Sequence, residues 1–466
     1  MSVLRMGEEY RFEGGLPTAE TVKQAYDDTD LVRAITTYRF FYPSVSGYCI
    51  YKGDLAGGMV TNQTFSVVED AVGLRCFTPN SDTPYAGFVI DLSDGPFVIE
   101  LPPGALMGVV NDLHQRWVMD YGLPGPDKGE GGKHLLLPPG YRGEVPAGYH
   151  AAMPTTNRVL GLLRALPPHG DLHAGIELMK TIKVYPLEPP ADWSEPGWAE
   201  LSHDFDYTPL PFETDLRYWQ ELHELIDAEP PYDGYRNAYG ELAALGIAKG
   251  LPFAPDERMR DILVRGAQAA NAQMRVQSLA DRRPDRGVWE GRRWEWAVLQ
   301  PENGTFDGES YVDLEAREKW FFQAQIESPA MFARAPGAGS LYWFAARDNT
   351  NAYLDGGRSY QLSVPLPVPA KLFWSITVYD AETRSEIVTE QNQAALRSLV
   401  ELTPEHLGDQ ATEVTLHFGP ECPSGAQGRW IKTTPGKGWF VYFRIYGPDQ
   451  PAFDQTWQLS DFQPLD

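Results

Sequence analysis

A short polar segment, residues 80–85 (NSDTPY), stands directly before an apolar, β-prone run. Asn and Asp at the entry to a strand commonly organise a turn by bonding the backbone, and the segment taken alone favours that interpretation. The same side chains can also contact a substrate. Asp82 and Tyr85 are candidate catalytic residues for proton transfer, and Asn80 and Thr83 are candidates for substrate binding.

A second group of candidates lies in the run VVNDLHQRWVMDYG, residues 109–122. If this segment is extended, alternate side chains share a face, so His114, Arg116 and Asp120 point the same way. A His and an Asp on one face could serve as general base and orienting carboxylate, which makes His114 and Asp120 candidate catalytic residues. The competing interpretation is a salt-bridged strand surface, and composition alone favours it.

The closest pair of histidines is His169 and His173, with Asp171 between them. Two imidazoles and a carboxylate could bind a divalent cation, so a metal-dependent enzyme is one hypothesis. The glycine and prolines of PPHGDLH predict an ordinary polar loop, and we expect no metal there. The sequence also lacks Walker A, GxSxG, HExxH, GxGxxG and kinase motifs, and we expect no cofactor.

One loop is unusually rich in arginine and tryptophan. Arg beside Trp can bind an anionic or planar ligand. Because the chain has 39 basic and 64 acidic residues, pairing with acidic side chains of the same chain is the favoured interpretation. The residues concerned are Arg282, Arg283, Arg286, Arg292, Arg293, Trp289, Trp294 and Trp296.

The composition is that of a globular chain with many turns and aromatic rings. Its 466 residues predict about three domains. A formal net charge of −25 argues against nucleic acid or a membrane surface as a partner. Three separated cysteines without a CxxC pair, no apolar leader and no apolar stretch of about 18 residues predict a cytoplasmic location.

The elements that must position these residues begin with helix over residues 1–44. Thr18 is predicted to cap a first helix and Asp30 a second. Pro43 is predicted to end the second helix.

Residues 45–175 predict a β-sandwich, because short β-prone runs recur at about ten-residue spacing and end in turn residues. Asp94-Gly95-Pro96 predicts a hairpin turn between GFVIDLS and PFVIELP. Residues 156–167 (TNRVLGLLRALP) predict a short helix.

Residues 176–339 predict a helical domain with three amphipathic helices, one of them capped by Asp256. From residue 340 to 466 strand-like runs return, and in KLFWSITVYD one set of alternate positions is apolar. A second β-sandwich, of the jelly-roll type, fits this region. The predicted fold class is therefore multidomain α+β.

Several motifs resemble a bacterial family with two domains of unknown function. NSDTPY, GEVPAG (residues 143–148), TNR (residues 156–158) and Arg164 resemble domain of unknown function 1254 over roughly residues 45–175. The C-terminal third, roughly residues 345–465, resembles domain of unknown function 1214. The matching residues there are Tyr360, residues 373–380, Trp430, Pro435, Gly436, Phe440, Arg444, Tyr446 and Pro448. Residues 429–432, RWIK, depart from the usual N-W-L-P of that family.

The resemblance implies an immunoglobulin-like β domain, a helical domain and a jelly-roll β domain. It implies no general activity, and the departure at residues 429–432 limits what transfers from any one relative. It does raise the interest of polar and mixed residues within the motifs as substrate-binding candidates. These are Asn80, Thr83, Arg158, Trp374, Tyr379, Asp380 and Arg444.

Two hypotheses of function follow. The first is a cofactor-independent enzyme, a hydrolase or lyase, that acts on a small organic molecule in a cleft between the β domains while an arginine holds an anionic group. The second is a non-catalytic protein that binds a carbohydrate or metabolite or takes part in assembly. Two sandwiches with exposed edges are also typical of homodimers or homotetramers.

Overall fold

The computed structural model describes residues 10–166, 171–299, 305–337, 339–408 and 410–465. The chain has a mixed α+β fold with several sheets of mainly antiparallel pairing. It opens with a small hairpin, β1 (Phe12–Glu13) and β2 (Leu16–Pro17), followed by the long helix α1 (Ala19–Ala56).

Helix α1 begins at the predicted cap, since the Thr18 hydroxyl accepts a hydrogen bond from the Thr21 N–H. The other two predictions for this segment are wrong. Asp30 lies inside the helix, and Pro43 does not end it. The residues around Pro43, from Phe41 to Cys49, are buried. Their packing offsets the hydrogen bond that proline cannot donate.

The next region forms two sheets. In chain order its elements are β3 (Thr64–Val68), β4 (Tyr85–Asp91), β5 (Phe97–Leu101), β6 (Leu106–Asp112), β7 (Trp117–Gly122), β8 (Gly132–Leu136), β9 (Tyr149–Ala152), β10 (Arg158–Ala165), α2 (Leu172–Met179), β11 (Lys183–Pro186) and β12 (Gly197–Glu200). The order in the six-stranded sheet is β12-β3-β4-β10-β6-β7, and in the four-stranded sheet it is β11-β5-β8-β9. Apolar side chains of both sheets form one core between them.

Two predictions in this region are wrong for the same reason. The segment predicted as a short helix is β10, which pairs with β4 on one side and β6 on the other. Asp94-Gly95-Pro96 makes no hairpin, because β4 and β5 belong to different sheets. Pairing with strands distant in sequence decides both cases, and local patterns do not report it.

The middle region supplies helices that pack around α1. Its elements are α3 (Leu216–Ala228), α4 (Arg236–Ala244), α5 (Glu257–Leu279), β13 (Glu295–Trp296), α6 (Leu314–Gln323) and α7 (Pro329–Phe332). The predicted cap of α5 is confirmed, because the Asp256 carboxylate accepts from the Met259 N–H. Tyr38 of α1 stacks on Tyr218 of α3 with ring centroids 4.0 Å apart, inside a core built by these helices. Strands β11 and β12 lie between residue 176 and α3, within the segment predicted to be mostly helical.

The C-terminal region forms a second pair of sheets, as its strand pattern predicted. Its elements are β14 (Ser340–Ala345), β15 (Tyr360–Pro365), β16 (Ala370–Asp380), β17 (Ala395–Arg397), α8 (Pro404–Leu407), β18 (Glu413–Gly419), β19 (Trp430–Lys432), β20 (Trp439–Pro448) and β21 (Gln463–Pro464). The five-stranded sheet has the order β13-β14-β20-β16-β17, and the four-stranded sheet has the order β19-β18-β15-β21.

Strand β16 confirms the predicted alternation, with Trp374, Ile376 and Val378 in the core between the two C-terminal sheets. Its other face, with Ser375 and Thr377, is buried as well. That face is covered by the N-terminal half of the chain, as described below. None of the helices in the described ranges is long and apolar enough to cross a membrane.

Candidate functional site

A cavity of about 720 Å³ lies between the six-stranded sheet and the five-stranded sheet. The end of α1 and the segment 324–333 complete its walls. Leu123 and Leu372, which line it, are 40% and 50% exposed and mark where it opens to solvent. Most of the lining is apolar and includes Ile50, Val68, Leu74, Leu160, Leu162, Ile326 and Met331. Its size and character are those of a small-molecule site.

Strand register places polar side chains on the N-terminal wall of this cavity. Arg164 of β10 pairs with Tyr85 of β4, and two residues earlier Leu162 pairs with Gly87. Side chains alternate between the two faces of a sheet. Arg164, Leu162 and Tyr85 therefore face the cavity, and Leu163 and Ala86, which lie between these positions, face the core of the N-terminal sheets. Asp120 of β7 pairs with Val109 of β6, which in turn pairs with Leu162, so Asp120 is on the same face of the sheet and also lines the cavity.

The C-terminal wall is built by alternate residues of β20. Val441, Phe443 and Ile445 enter the core between the C-terminal sheets. Tyr442, Arg444 and Tyr446 line the cavity instead, together with Tyr342 on the neighbouring β14. One strand therefore presents an apolar face to its own domain and an aromatic, cationic face to the cavity.

Arg164 is held mainly by aromatic rings. Its Nη1 donates to the Tyr85 hydroxyl at 3.3 Å, and its guanidinium lies 5.0 Å from the Tyr446 ring centroid and 5.8 Å from that of Tyr85. No carboxylate in the described part of the chain forms an ion pair with it. A cation in such a site attracts an anion from outside the protein, because little in the cavity screens it.

Arg444 lies on the opposite wall and is also without an ion pair among the described residues. Nη1 donates to Thr377 Oγ1 at 2.9 Å and Nη2 to the Tyr379 hydroxyl at 2.7 Å. The rings of Tyr342 and Tyr442 lie 5.6 Å and 5.3 Å from the guanidinium carbon. The two arginines thus place positive charge on both walls of one mostly apolar cavity.

The loop of residues 78–85 connects the two walls. Asn80 Nδ2 donates to the Tyr446 hydroxyl at 2.7 Å, and that hydroxyl donates to Asp82 Oδ2 at 2.9 Å. Ser375 donates to the same Asp82 oxygen at 2.7 Å. The Tyr379 hydroxyl donates to the Pro79 carbonyl at 2.7 Å. The loop therefore fixes two of the tyrosines that contact the cavity arginines, Tyr446 and Tyr379.

Asp120 is the predicted catalytic carboxyl that lines the cavity. Burial raises its pKa to about 7, although hydrogen bonds from the Ala330 backbone and the Ser328 side chain act in the opposite direction. Its Oδ1 has no hydrogen-bond partner within the described ranges. A carboxyl with a pKa near 7 can take up or release a proton at neutral pH.

His114 lies apart from Asp120. The expectation that they share a strand face is wrong, because a turn over residues 113–114 separates β6 from β7. His114 Nδ1 lies 2.8 Å from the Ser44 hydroxyl of α1, and burial lowers its pKa to about 4. The imidazole is a neutral packing group on the side of the sheet that meets the helices.

Four other candidates do not line the cavity. Arg158 pairs with Glu229 at the end of α3. Trp374 stacks on Phe443 with ring centroids 5.3 Å apart, inside the C-terminal core. Asp380 accepts hydrogen bonds from backbone N–H groups of the turn that follows β16. Thr83 is buried, and its hydroxyl has no hydrogen-bond partner in the part of the chain that the structure describes.

The arginine-rich loop confirms intramolecular pairing for three of its members. Arg282 pairs with Glu315, Arg283 with Asp285 and Asp313, and Arg286 with Glu295.

His169 lies outside the described residues, and His173 is exposed near the start of α2. Within the described ranges, no group of three or more His, Cys, Asp or Glu side chains is placed to hold a metal ion.

Sequence reasoning missed several residues of the cavity. The alternation Tyr442, Arg444, Tyr446 in FVYFRIYG was a usable signal for the C-terminal wall. Arg164 was assigned to a helix, and its direction became predictable only once the segment was recognised as a strand. Asp54, near the end of α1, carried no signal in the sequence.

Comparison with known proteins supports the resemblance seen in the motifs. The model for DUF1254, a protein of unknown function, matches residues 63–186, and the model for DUF1214, also a protein of unknown function, matches residues 339–450. No protein with curated annotation matches the chain.

Two solved structures match the chain, and the first is similar to it in fold. The VPA0106 protein from Vibrio parahaemolyticus has a TM-score of 0.57 and 14% identity, over 94% of this chain and 100% of its own. A putative uncharacterized protein from Burkholderia cenocepacia has a TM-score of 0.41 and 10% identity, over 96% of this chain and 97% of its own. With both family regions present in the expected order, the chain belongs to the family in which a DUF1254 region is followed by a DUF1214 region.

Proposed function

We propose that this protein binds a small organic molecule with an apolar body and an anionic group in the cavity between its two large sheets, and acts on it. The observation that carries the proposal is the pair of guanidinium groups on the cavity walls, buried Arg444 and half-buried Arg164, neither of which forms an ion pair with a carboxylate of the described residues. Buried charges are normally paired, and a ligand anion would complete this arrangement.

The chemistry of the lining favours a carboxylate as the anionic group of the ligand. A guanidinium presents forked donors that match a carboxylate, and aromatic rings around it exclude water from the bound pair. The chain carries a net charge of −25, so the positive site does not follow from an excess of basic residues. The apolar walls accept a hydrocarbon body more readily than a sugar, whose hydroxyls need polar partners.

Asp120 is the residue we propose for proton transfer, in a hydrolase or lyase reaction that needs no cofactor. It lies on the same sheet face as Arg164, two strands and two residues away, which corresponds to about 12 Å between Cα atoms at standard strand spacing. A ligand anchored at Arg164 brings its body within reach of Asp120. Asp82 acts through Tyr446 and is a positioning residue in this proposal.

Binding is tested by calorimetry with decanoate as the probe and Arg164→Met as the variant. Methionine keeps the apolar length of the side chain and removes the charge, so affinity should fall at least about ten-fold, the equivalent of about 1.4 kcal/mol. Arg282→Met, the same change at an arginine paired with Glu315 outside the cavity, is the matched control and should bind as the wild type does. Equal decanoate affinity in all three proteins would refute the anion site.

Catalysis is tested separately, by mass spectrometry of a panel of medium-chain hydroxy acids and esters incubated with the wild type and with Asp120→Asn. Turnover by the wild type that is lost in the variant, with decanoate binding retained, supports the role of Asp120. Binding without any turnover in either protein favours the alternative, a non-catalytic metabolite-binding protein.

We also propose that the fold follows the family pattern, with an immunoglobulin-like sandwich over residues 45–175, a helical domain over 176–339 and a jelly roll over 340–466. The two pairs of sheets, each with its own apolar core, and the helices around α1 support this division.

A further inference from the structure

Asp54 lies near the end of α1, lines the cavity and is only 8% exposed. No hydrogen bond or ion pair from any residue in the described ranges reaches its carboxyl group. Burial alone raises its pKa to about 7. An unpaired buried carboxyl costs free energy and does nothing for the fold, so its placement calls for a partner that the chain does not supply.

The groups around Asp54 are already engaged. The ring of Tyr207 lies against Gly53, and its hydroxyl donates to the Ser202 carbonyl at 2.9 Å. The thiol of Cys76, which also lines the cavity, contacts Gln325 Oε1 at 2.7 Å. Tyr207 and Cys76 therefore offer no free donor to Asp54, and its carboxyl is open to a donor within the cavity.

Asp54 and Arg164 line the cavity from different elements, the C-terminal end of α1 and strand β10. Asp54 is one helical turn beyond Ile50 in α1. Ile50 packs against a buried apolar cluster that includes Leu160 of β10. Leu160 and Arg164 stand on one face of β10, four residues apart, which corresponds to about 14 Å along a strand. The cavity is thus lined by a guanidinium group on β10 and a carboxyl group on α1, with apolar side chains such as Ile50 and Leu160 between the two elements.

We infer that the ligand carries a hydrogen-bond donor, a hydroxyl or an ammonium group, at the end remote from its anion, and that Asp54 receives this donor. The inference rests on the proposed function, since the anion at Arg164 sets the orientation. It makes Asp54 the specificity-determining residue of the site. A site built to bond a polar group rejects analogues that lack it far more strongly than a purely apolar pocket can.

The test compares three probes of equal chain length: decanoate, 10-hydroxydecanoate and 10-aminodecanoate. Calorimetry on the wild type should show at least one of the two donor-bearing probes binding about ten-fold or more tighter than decanoate. Asp54→Leu, which keeps the volume and removes the carboxyl, should abolish that preference while decanoate still binds. Glu20→Gln, an exposed carboxyl on the same helix, is the control and should keep the preference. The tighter of the two donor probes identifies the donor as hydroxyl or ammonium.

The outcomes separate the inference from the proposal beneath it. If decanoate binds in an Arg164-dependent way and neither donor group improves binding, the role of Asp54 is wrong and the anion site stands. If none of the probes binds the wild type, both are wrong. If Asp54→Leu does not fold, Asp54→Asn replaces it: the amide oxygen still accepts from a hydroxyl, but the preference for 10-aminodecanoate over decanoate should disappear. If Asp54→Asn still prefers 10-aminodecanoate over decanoate, the proposed contact between the Asp54 carboxylate and the ammonium group is wrong.

Discussion

Arg384 and Arg164 both lie against aromatic rings, yet their polar partners differ. Arg384 Nη2 lies 2.8 Å from Glu213 Oε2, and Nη1 donates to the Phe322 carbonyl at 3.1 Å. Arg164 instead has tyrosines as neighbours: it donates to the Tyr85 hydroxyl at 3.3 Å and lies 5.0 Å from the Tyr446 ring centroid. Arg384 has a carboxylate partner within the chain and stabilises the contact between the helices and the C-terminal sheet. Arg164 keeps donors for another molecule, and this contrast is the physical basis for locating the site.

The largest expected effect is a loss of stability on replacing Arg384, the arginine that is paired with Glu213. Arg384→Met leaves the buried Glu213 with the more distant Arg275, whose Nη2 lies 3.8 Å away, and removing one partner of a buried pair costs about 3–5 kcal/mol. Arg164→Met should leave the free energy of unfolding unchanged or raise it, because no carboxylate of the described chain loses a partner. Denaturant unfolding of the two variants measures the difference. A similar large loss in both would mean that Arg164 is a structural residue.

The next effect concerns the buried carboxyl group of Asp54. Asp54→Leu should stabilise the folded protein at pH 8 by up to about 4 kcal/mol, the equivalent of a pKa raised from 3.8 to about 7. Because the folded state holds this proton more tightly than the unfolded state, the wild type loses stability as pH rises from about 4 to about 7. The gain in the variant should grow over the same interval and be small at pH 4. Unfolding curves at several pH values check this, and a gain independent of pH would contradict it.

A moderate effect is expected at the contact between the walls. Tyr446→Phe removes the hydroxyl that bonds both Asn80 and Asp82, and should cost about 1–3 kcal/mol. Affinity for decanoate should fall less than in Arg164→Met, because the ring beside the guanidinium remains. Thermal unfolding and calorimetry on the same preparation measure both quantities. Binding lost as completely as in Arg164→Met would assign the hydroxyl itself to the ligand.

The smallest effect is expected at the surface. Arg282 is 85% exposed on its side chain and pairs with Glu315. Solvent screens such pairs, so Arg282→Met should change neither the unfolding midpoint nor decanoate binding measurably. A clear change in either would show that the surface pairs of this loop influence the cavity.

The sequence was sufficient for features that depend on neighbouring residues. The Thr18 and Asp256 caps, the C-terminal strands and the alternation in β16 are local patterns, and all are confirmed. Features that depend on distant partners were missed. β10 has a leucine-rich sequence that also suits a helix, and only its pairing with β4 and β6 makes it a strand.

For the candidate site, too, local features were predictable from the sequence and contacts between distant residues were not. The loop around Asp82 was located from its motif, but its contacts with Tyr446 and Ser375 join residues about three hundred positions apart, which no local pattern reports. His114 was placed beside Asp120 because an extended segment was assumed where the chain turns.

The bonds between loop 78–85 and the C-terminal sheet have a consequence for assembly. Arg164 comes from one half of the chain and Tyr446, whose ring it contacts, comes from the other, so neither half alone holds a finished recognition surface. Any molecule that binds there bridges both halves, and its binding energy adds to the work of pulling them apart. Ligand binding in the cavity and the association of the N-terminal and C-terminal halves are therefore thermodynamically coupled.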